Sequence, residues 1–149
     1  RAMQRHQLRE QETPNADKSR PPIVLIPPNT EILNEQQGLI GYQKIRKNAV
    51  LAHEIICTAS PEFFRPSEPR FFGRYDDKIV FEWCSATLDY LTRSYGLKIV
   101  SVVLHLDEAT PHIHAVIIPL DERGRLNAAK SSAVPQVAEK QRVAGGFQG

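Results

Sequence analysis

At 149 residues, 41% hydrophobic and 24% charged, the chain has material for one globular core rather than two. Its 19 Lys and Arg against 17 Asp and Glu leave a formal net charge of +2, which excludes a globally basic nucleic-acid binder and requires any cationic site to be local. No apolar run approaches the ~20 residues of a bilayer span, and residues 1–12 are too polar for a signal peptide. Cys57 and Cys84 lack both CxxC spacing and the density of a disulfide scaffold, so a reducing cytoplasm and no membrane are expected. The chain begins at Arg1 rather than Met, as a fragment or trimmed product would.

Taken in order, Arg1 to Glu12 reads as a polar helix stopped by Thr13-Pro14-Asn15-Ala16-Asp17. Pro21, Pro22, Pro27 and Pro28 bracket Ile23-Val24-Leu25-Ile26, too short and Pro-flanked for a central strand; an edge strand or packed loop is expected. Thr30 can cap a helix from Glu31 to about Arg46, weakened by Gly38 and Gly41. Asn48 to Thr58 reads as a strand, and Asp76 to Tyr95 carries Ile79, Val80, Trp83, Leu88 and Leu91 at helical spacing before Gly96, a C-cap. Ile99 to Leu106 and His112 to Pro119 form an antiparallel hairpin around Asp107-Glu108-Ala109-Thr110-Pro111. The order predicts an α+β fold, an antiparallel sheet with helices packed mainly on one face. Residues 1–127 make the domain, and the Ala/Ser/Gln/Gly-rich stretch 128–149 is a mobile or divergent tail.

Three of the five histidines fall in one decapeptide, His105-Leu-Asp-Glu-Ala-Thr-Pro-His112-Ile-His114. Alternation puts Val100, Val102 and Leu104 on one face of the first strand and Ser101, Val103 and His105 on the other. Ile113, Ala115 and Ile117 lie opposite His112 and His114 in the second. If the apolar sets share a core, register forces all three imidazoles onto the same side. Such neutral imidazoles suit Zn, Mn, Fe, Ni or Cu, and three protein ligands leave positions open for a substrate, the arrangement of a catalytic centre. Glu108 and Asp107, in the turn, can each be a fourth ligand, a partner that orients a ring, or turn chemistry, with Glu108 the better functional candidate.

HLDEATPHIH followed by Ala-Val-Ile-Ile-Pro resembles the metal-binding motif of the Mob/Pre (MOBV) plasmid mobilisation relaxases. Arg5-His6-Gln-Leu-Arg9 leading to Glu12-Thr-Pro-Asn-Ala-Asp17 is similar to the family's first motif, and Ile45-Arg46-Lys47-Asn48-Ala-Val-Leu with Glu54 and Thr58-Ala-Ser-Pro-Glu-Phe adds a further match. The resemblance implies a histidine-hydrophobe-histidine (HUH) endonuclease fold and an enzyme that nicks and rejoins one strand at a plasmid origin of transfer. It implies His6 as the nucleophile that becomes a covalent phosphoramidate, with Glu108 and Glu54 as further catalytic residues. His105, His112 and His114 would hold one divalent ion, Mn or Mg ahead of Zn, Ni and Co. Partners implied are origin DNA, single-stranded or a hairpin near the nick, and other mobilisation proteins.

Arg5, Arg9, Asn15, Asp17, Arg46 and Lys47 are the DNA-contact candidates, Arg46 foremost because it matches the second motif. Asn15 and Asp17 serve equally as turn formers, and His53 reads as structural. The sequence departs from the family in lacking the strand before the first motif, in the apolar stretch from Pro21 to Pro28, and in the residues beyond Asn127. Two rival readings stay open: an inactive remnant that binds DNA without cutting, and a three-histidine metalloenzyme acting on a small molecule.

Overall fold

Four strands form a single antiparallel sheet in the order β1-β3-β4-β2, in a computed structural model that describes residues 16–28, 40–41 and 43–131. The strands are β1 (Ile23–Ile26), β2 (His53–Thr58), β3 (Ile99–His105) and β4 (His112–Ile117). Around them are α1 (Pro61–Phe64), α2 (Asp77–Tyr95), a 3-10 turn at Gly96–Lys98 and α3 (Ala128–Ser131). The Pro-flanked segment is thus an edge strand, with prolines at both ends where missing N–H groups cost no ladder bond.

The hairpin β3–β4 is the centre of the sheet because its strands are the most uniformly apolar, and every residue of β3 is buried. On one face Val102, Leu104, Ile113, Ala115 and Ile117 pack under α2 with Leu91, while Trp83, Cys84 and Leu88 close over them. Helix α2 forms because these apolar residues recur at three- and four-residue steps. Asp76 accepts from the backbone N–H groups of Lys78 and Ile79 at 2.9 and 3.1 Å to start it. Gly96, at φ 51°, ends it with its N–H on the Thr92 carbonyl. Phe64 meets Trp83 edge-to-face at 4.9 Å, fixing α1 against α2.

The other sheet face carries His105, His112 and His114 at one end and a second cluster of Val100, Val116, Ile118, Leu120 and Ile40 at the other. Val100 therefore lies on the histidine side, not with Val102 and Leu104 as simple alternation expects. Ile99 pairs with Ile117 and Ser101 with Val116, so three β3 residues face two of β4, and this bulge turns Val100 over. A second irregularity between Val24 and Ile26 lets both Leu25 and Ile26 reach the helix-side core.

Boundaries differ from expectation in three other places. Of the helix read from Glu31 to about Arg46, residues 31–39 and 42 lie outside the described residues; Ile40 is helical, but Gly41 adopts φ 62° and residues 43–46 are irregular, so no helix reaches Arg46. β2 starts at His53 rather than Asn48, because Leu51 and Ala52 are used to pack on the second cluster. β4 ends at Ile117, before Pro119, while Ile118 donates instead to the Lys98 carbonyl at 2.9 Å. The expected helix at Arg1 to Glu12, with Arg5, His6, Arg9 and Asn15, lies outside the described residues, as does the tail beyond the helical turn at Ala128–Ser131.

Candidate metal centre

Register brings the histidines together as alternation requires. His105 pairs directly with His112 across β3–β4, and His114 comes two residues on, opposite Val103. Ring centroids are 5.1 Å apart for His105 and His112, 4.7 Å for His105 and His114, and 5.0 Å for His112 and His114. One nitrogen from each ring lies within 4.8 Å of the others. Tetrahedral ligands at ~2.0–2.1 Å from an ion stand about 3.4 Å apart, so small ring rotations suffice to close the set.

The hydrogen bonds around the rings select which nitrogens are available. His112 Nδ1 is 2.9 Å from the Thr110 carbonyl, which can only accept, so the ring donates from Nδ1. His114 Nδ1 is 2.8 Å from Glu54 Oε1, a carboxylate that likewise accepts. In each neutral ring Nε2 is then left with its lone pair, the tautomer that a ligating histidine needs. His105 is fully buried and His114 nearly so, in keeping with ligands held on a rigid strand rather than a surface loop. The donor set therefore fits a cation.

Carboxylates stand on both sides. Glu108 Oε2 is 3.8 Å from His112 Nε2, and His105, Asp107 and Glu108 form a second potential ligand group among the described residues. Glu54, on β2 opposite Val116, reaches diagonally to His114 and so meets the centre through a ring rather than directly.

Three contacts that no local sequence pattern announces fix the His105–His112 connection. Thr58 Oγ1 donates to the Pro111 carbonyl at 3.0 Å. Asp17 N–H donates to the Asp107 carbonyl at 2.7 Å. The buried Arg65 donates from Nη1 to the Ala109 carbonyl at 2.9 Å and from Nε to the Pro69 carbonyl at 2.8 Å. Two hydrogen bonds from Ser19, side chain first and backbone second, hold the Asp17 carboxyl below its ordinary value, and Arg20 lies 3.7 Å away. Asp17 is thus a turn former touching the histidine loop.

Arg46 and Lys47 are exposed in a turn leading to the β2 end that pairs with Ile117; the opposite end, Thr58, pairs with His112. Five residue steps at ~3.3 Å separate those two ends by about 17 Å. His53 has a buried Nε2 with no hydrogen-bond partner among the described residues and pairs with Ile117, away from the three histidines.

The family model described as plasmid recombination enzyme, Mob_Pre, matches residues 1–142. A 65 kDa protein of Zymomonas mobilis is 32% identical over 135 residues, covering 84% of this chain and 22% of its own length. A plasmid recombination enzyme of Bacillus thuringiensis is 34% identical over 114 residues, covering 67% of this chain and 23% of its own length. The chain thus spans less than a quarter of either relative. Among solved structures, the MobM relaxase domain (MOBV; Mob_Pre), Mn-bound and in complex with plasmid pMV158 oriT DNA, superposes with a TM-score of 0.67 at 25% identity, covering 85% of this chain and 67% of that one. With the sheet order, the paired histidines and the family match in agreement, the chain belongs to the plasmid recombination enzyme (Mob_Pre) family of relaxases.

Proposed function

We propose that the chain is the nicking domain of a relaxase that cuts and rejoins one DNA strand at a plasmid origin of transfer. The observation that carries this reading is the convergence of His105, His112 and His114 within 4.8 Å, with Nδ1 of His112 and His114 already committed as donors. The centre would hold one divalent ion, with manganese first because the MobM relaxase domain is Mn-bound. Bound there, such an ion supplies Lewis acidity to a non-bridging oxygen of the scissile phosphate.

The chain's own residues do the rest. A His6 ring nitrogen attacks phosphorus, an N–P bond forms, one bridging P–O bond breaks, and the departing oxygen takes up a proton. The stored phosphoramidate allows the reverse attack by a strand-end hydroxyl to rejoin the DNA. Glu54 orients His114, and Glu108, beside His112, is the group placed to hold a proton or complete the ligand set. Arg5, Arg9, Asn15, Arg46 and Lys47 are assigned to the DNA backbone; Asp17 acts by holding the histidine loop. Other mobilisation proteins would join the complex at the origin. No described helix is long and apolar enough to cross a membrane, and the reading places the protein in the bacterial cytoplasm with its plasmid.

The test is metal-dependent nicking of supercoiled origin plasmid, combined with mass spectrometry of the protein. Wild type yields open circles and a DNA adduct on His6, and His6→Ala binds the origin without cutting. Equal nicking by His6→Ala removes the nucleophile, and DNA binding without nicking by wild type leaves a binding-only remnant.

A further inference from the structure

One exposed feature takes no part in the chemistry at the histidines. Residues 65–75 run as a chain of tight turns, Glu68 N–H to the Arg65 carbonyl at 3.2 Å and Phe71 N–H to the Glu68 carbonyl at 3.1 Å, closed by Gly73 at φ 70°. At its tip Phe71 is 52% and Phe72 78% exposed, between Arg70 and Arg74, which are exposed too. Two adjacent bare phenyl rings cost solvation, and on a monomer such a patch marks an interaction surface.

The loop is fastened to the histidine turn on both sides. A single Arg65 nitrogen, Nη1, bonds both the Ala109 carbonyl at 2.9 Å and the Arg74 carbonyl at 3.4 Å. Arg20 Nη1 donates to the Gly73 carbonyl at 2.8 Å and to the Tyr75 hydroxyl at 3.2 Å, while neighbouring Asp17 bonds Asp107. A cleft of about 480 Å³ lined by Arg20, Arg65, Glu68, Arg74 and Tyr75 lies against this loop. The base of the loop that carries the rings is therefore tied to the turn that carries Glu108.

Resting on the relaxase reading, the geometry points to a base-stacking platform at Arg70–Arg74 that grips the single strand flanking the phosphate at the histidines. Phe71 has one face against the Arg74 guanidinium, 5.0 Å from its centroid, whereas Phe72 is the freer ring. Aromatic faces stack bases irrespective of sequence, and cations beside them take the backbone phosphates. Arg74 is paired with Glu68 at 3.0 Å, but both partners are exposed, so a phosphate can readily take that place. Arg70 and Arg74 flank the two rings, so a cation for a backbone phosphate stands on either side of the stacking surface.

The experiment measures binding of the Mn-supplemented chain to a single-stranded oligonucleotide carrying 2-aminopurine, by anisotropy and by fluorescence quenching. Phe72→Ala should weaken binding about 5- to 100-fold and abolish quenching at one position, with Phe72→Trp restoring both. Phe81→Ala, which removes another exposed ring on α2, should change neither. Affinity for Mn and the thermal midpoint should be unaltered in Phe72→Ala. Wild-type binding that Phe72→Ala leaves within twofold overturns the platform and spares the relaxase reading. Failure of wild type to bind DNA at all overturns both. A dimer of the chain that Phe72→Ala dissociates, seen by light scattering, assigns the rings to self-association and overturns the platform.

Discussion

On the proposed reading, the Glu54 carboxylate should tune metal affinity through the His114 ring, and the expected size of that effect can be worked from the structure. Its Oε1 lies 2.8 Å from His114 Nδ1, with side-chain exposures of 24% and 5%, so the bond is largely shielded from water. A hydrogen bond to a charged acceptor contributes ~1.5–3 kcal/mol and a neutral one ~0.5–1.5 kcal/mol. Glu54→Gln keeps an acceptor at that position but loses the charge, a difference of about 1 kcal/mol, or roughly fivefold in the metal dissociation constant. Glu54→Ala leaves a buried N–H without an acceptor and frees the ring to turn, and partners of this kind typically carry ~10- to 100-fold in affinity. Manganese titration, read by the electron paramagnetic resonance of the free ion, measures each variant. His112→Ala, which removes a ligand outright, sets the scale. If Glu54→Ala binds manganese within twofold of wild type while His112→Ala does not bind, the proposed route from carboxylate to ring to ion is wrong. A drop in thermal midpoint with unchanged metal affinity would make the pair a strut and nothing more.

Leu91 is fully buried between α2 and the central hairpin, and Leu91→Ala should lower unfolding free energy by ~2–5 kcal/mol in urea titrations; a loss under ~1 kcal/mol would mean that α2 is not the main cover of that face. Asp76→Ala should cost ~0.5–2 kcal/mol, and Asp76→Asn distinctly less, because Asn can cap while Ala cannot. Burial pushes the thiols of Cys57 and Cys84 above their ordinary value, so iodoacetamide at mildly alkaline pH should modify them more slowly in native than in urea-unfolded protein. A thiol raised in this way contributes its stability fully below the unfolded value, and that contribution is lost as pH climbs through the folded one. Equal alkylation rates in the two states would contradict it.

Much of the site is legible in the sequence because strands impose a period of two: once Ile113, Ala115 and Ile117 claim the helix side, His112 and His114 have only one other side to occupy. The same rule misplaces Val100, since a bulge changes the count by one and no residue between Ile99 and Ser101 declares it. Helix α2 is legible through Asp76 and Gly96, which act on their own neighbours. Gly41 is equally visible, but only its positive φ makes it a stop rather than a weak spot. Arg65 and Thr58 are not legible as clamps because the bonds that fix the histidine loop run to backbone carbonyls 44 and 53 residues along the chain, and any residue can offer a carbonyl. A motif match singles out Glu54, yet its pairing with His114 needs β2 to lie diagonal to it.

The extra residue in β3 makes the two ends of that strand unequal in how they tolerate a change of length. Removing Val100 would leave Ile99 and Ser101 in ordinary succession and every side chain from Val102 onward where it now stands. Removing one residue between Val102 and His105 would instead swing His105 through the sheet to the α2 side, among leucines and away from its two companions. Shortening there deletes one ligand while keeping all three histidines in the sequence, so a histidine count alone can mistake a broken relative for a working one.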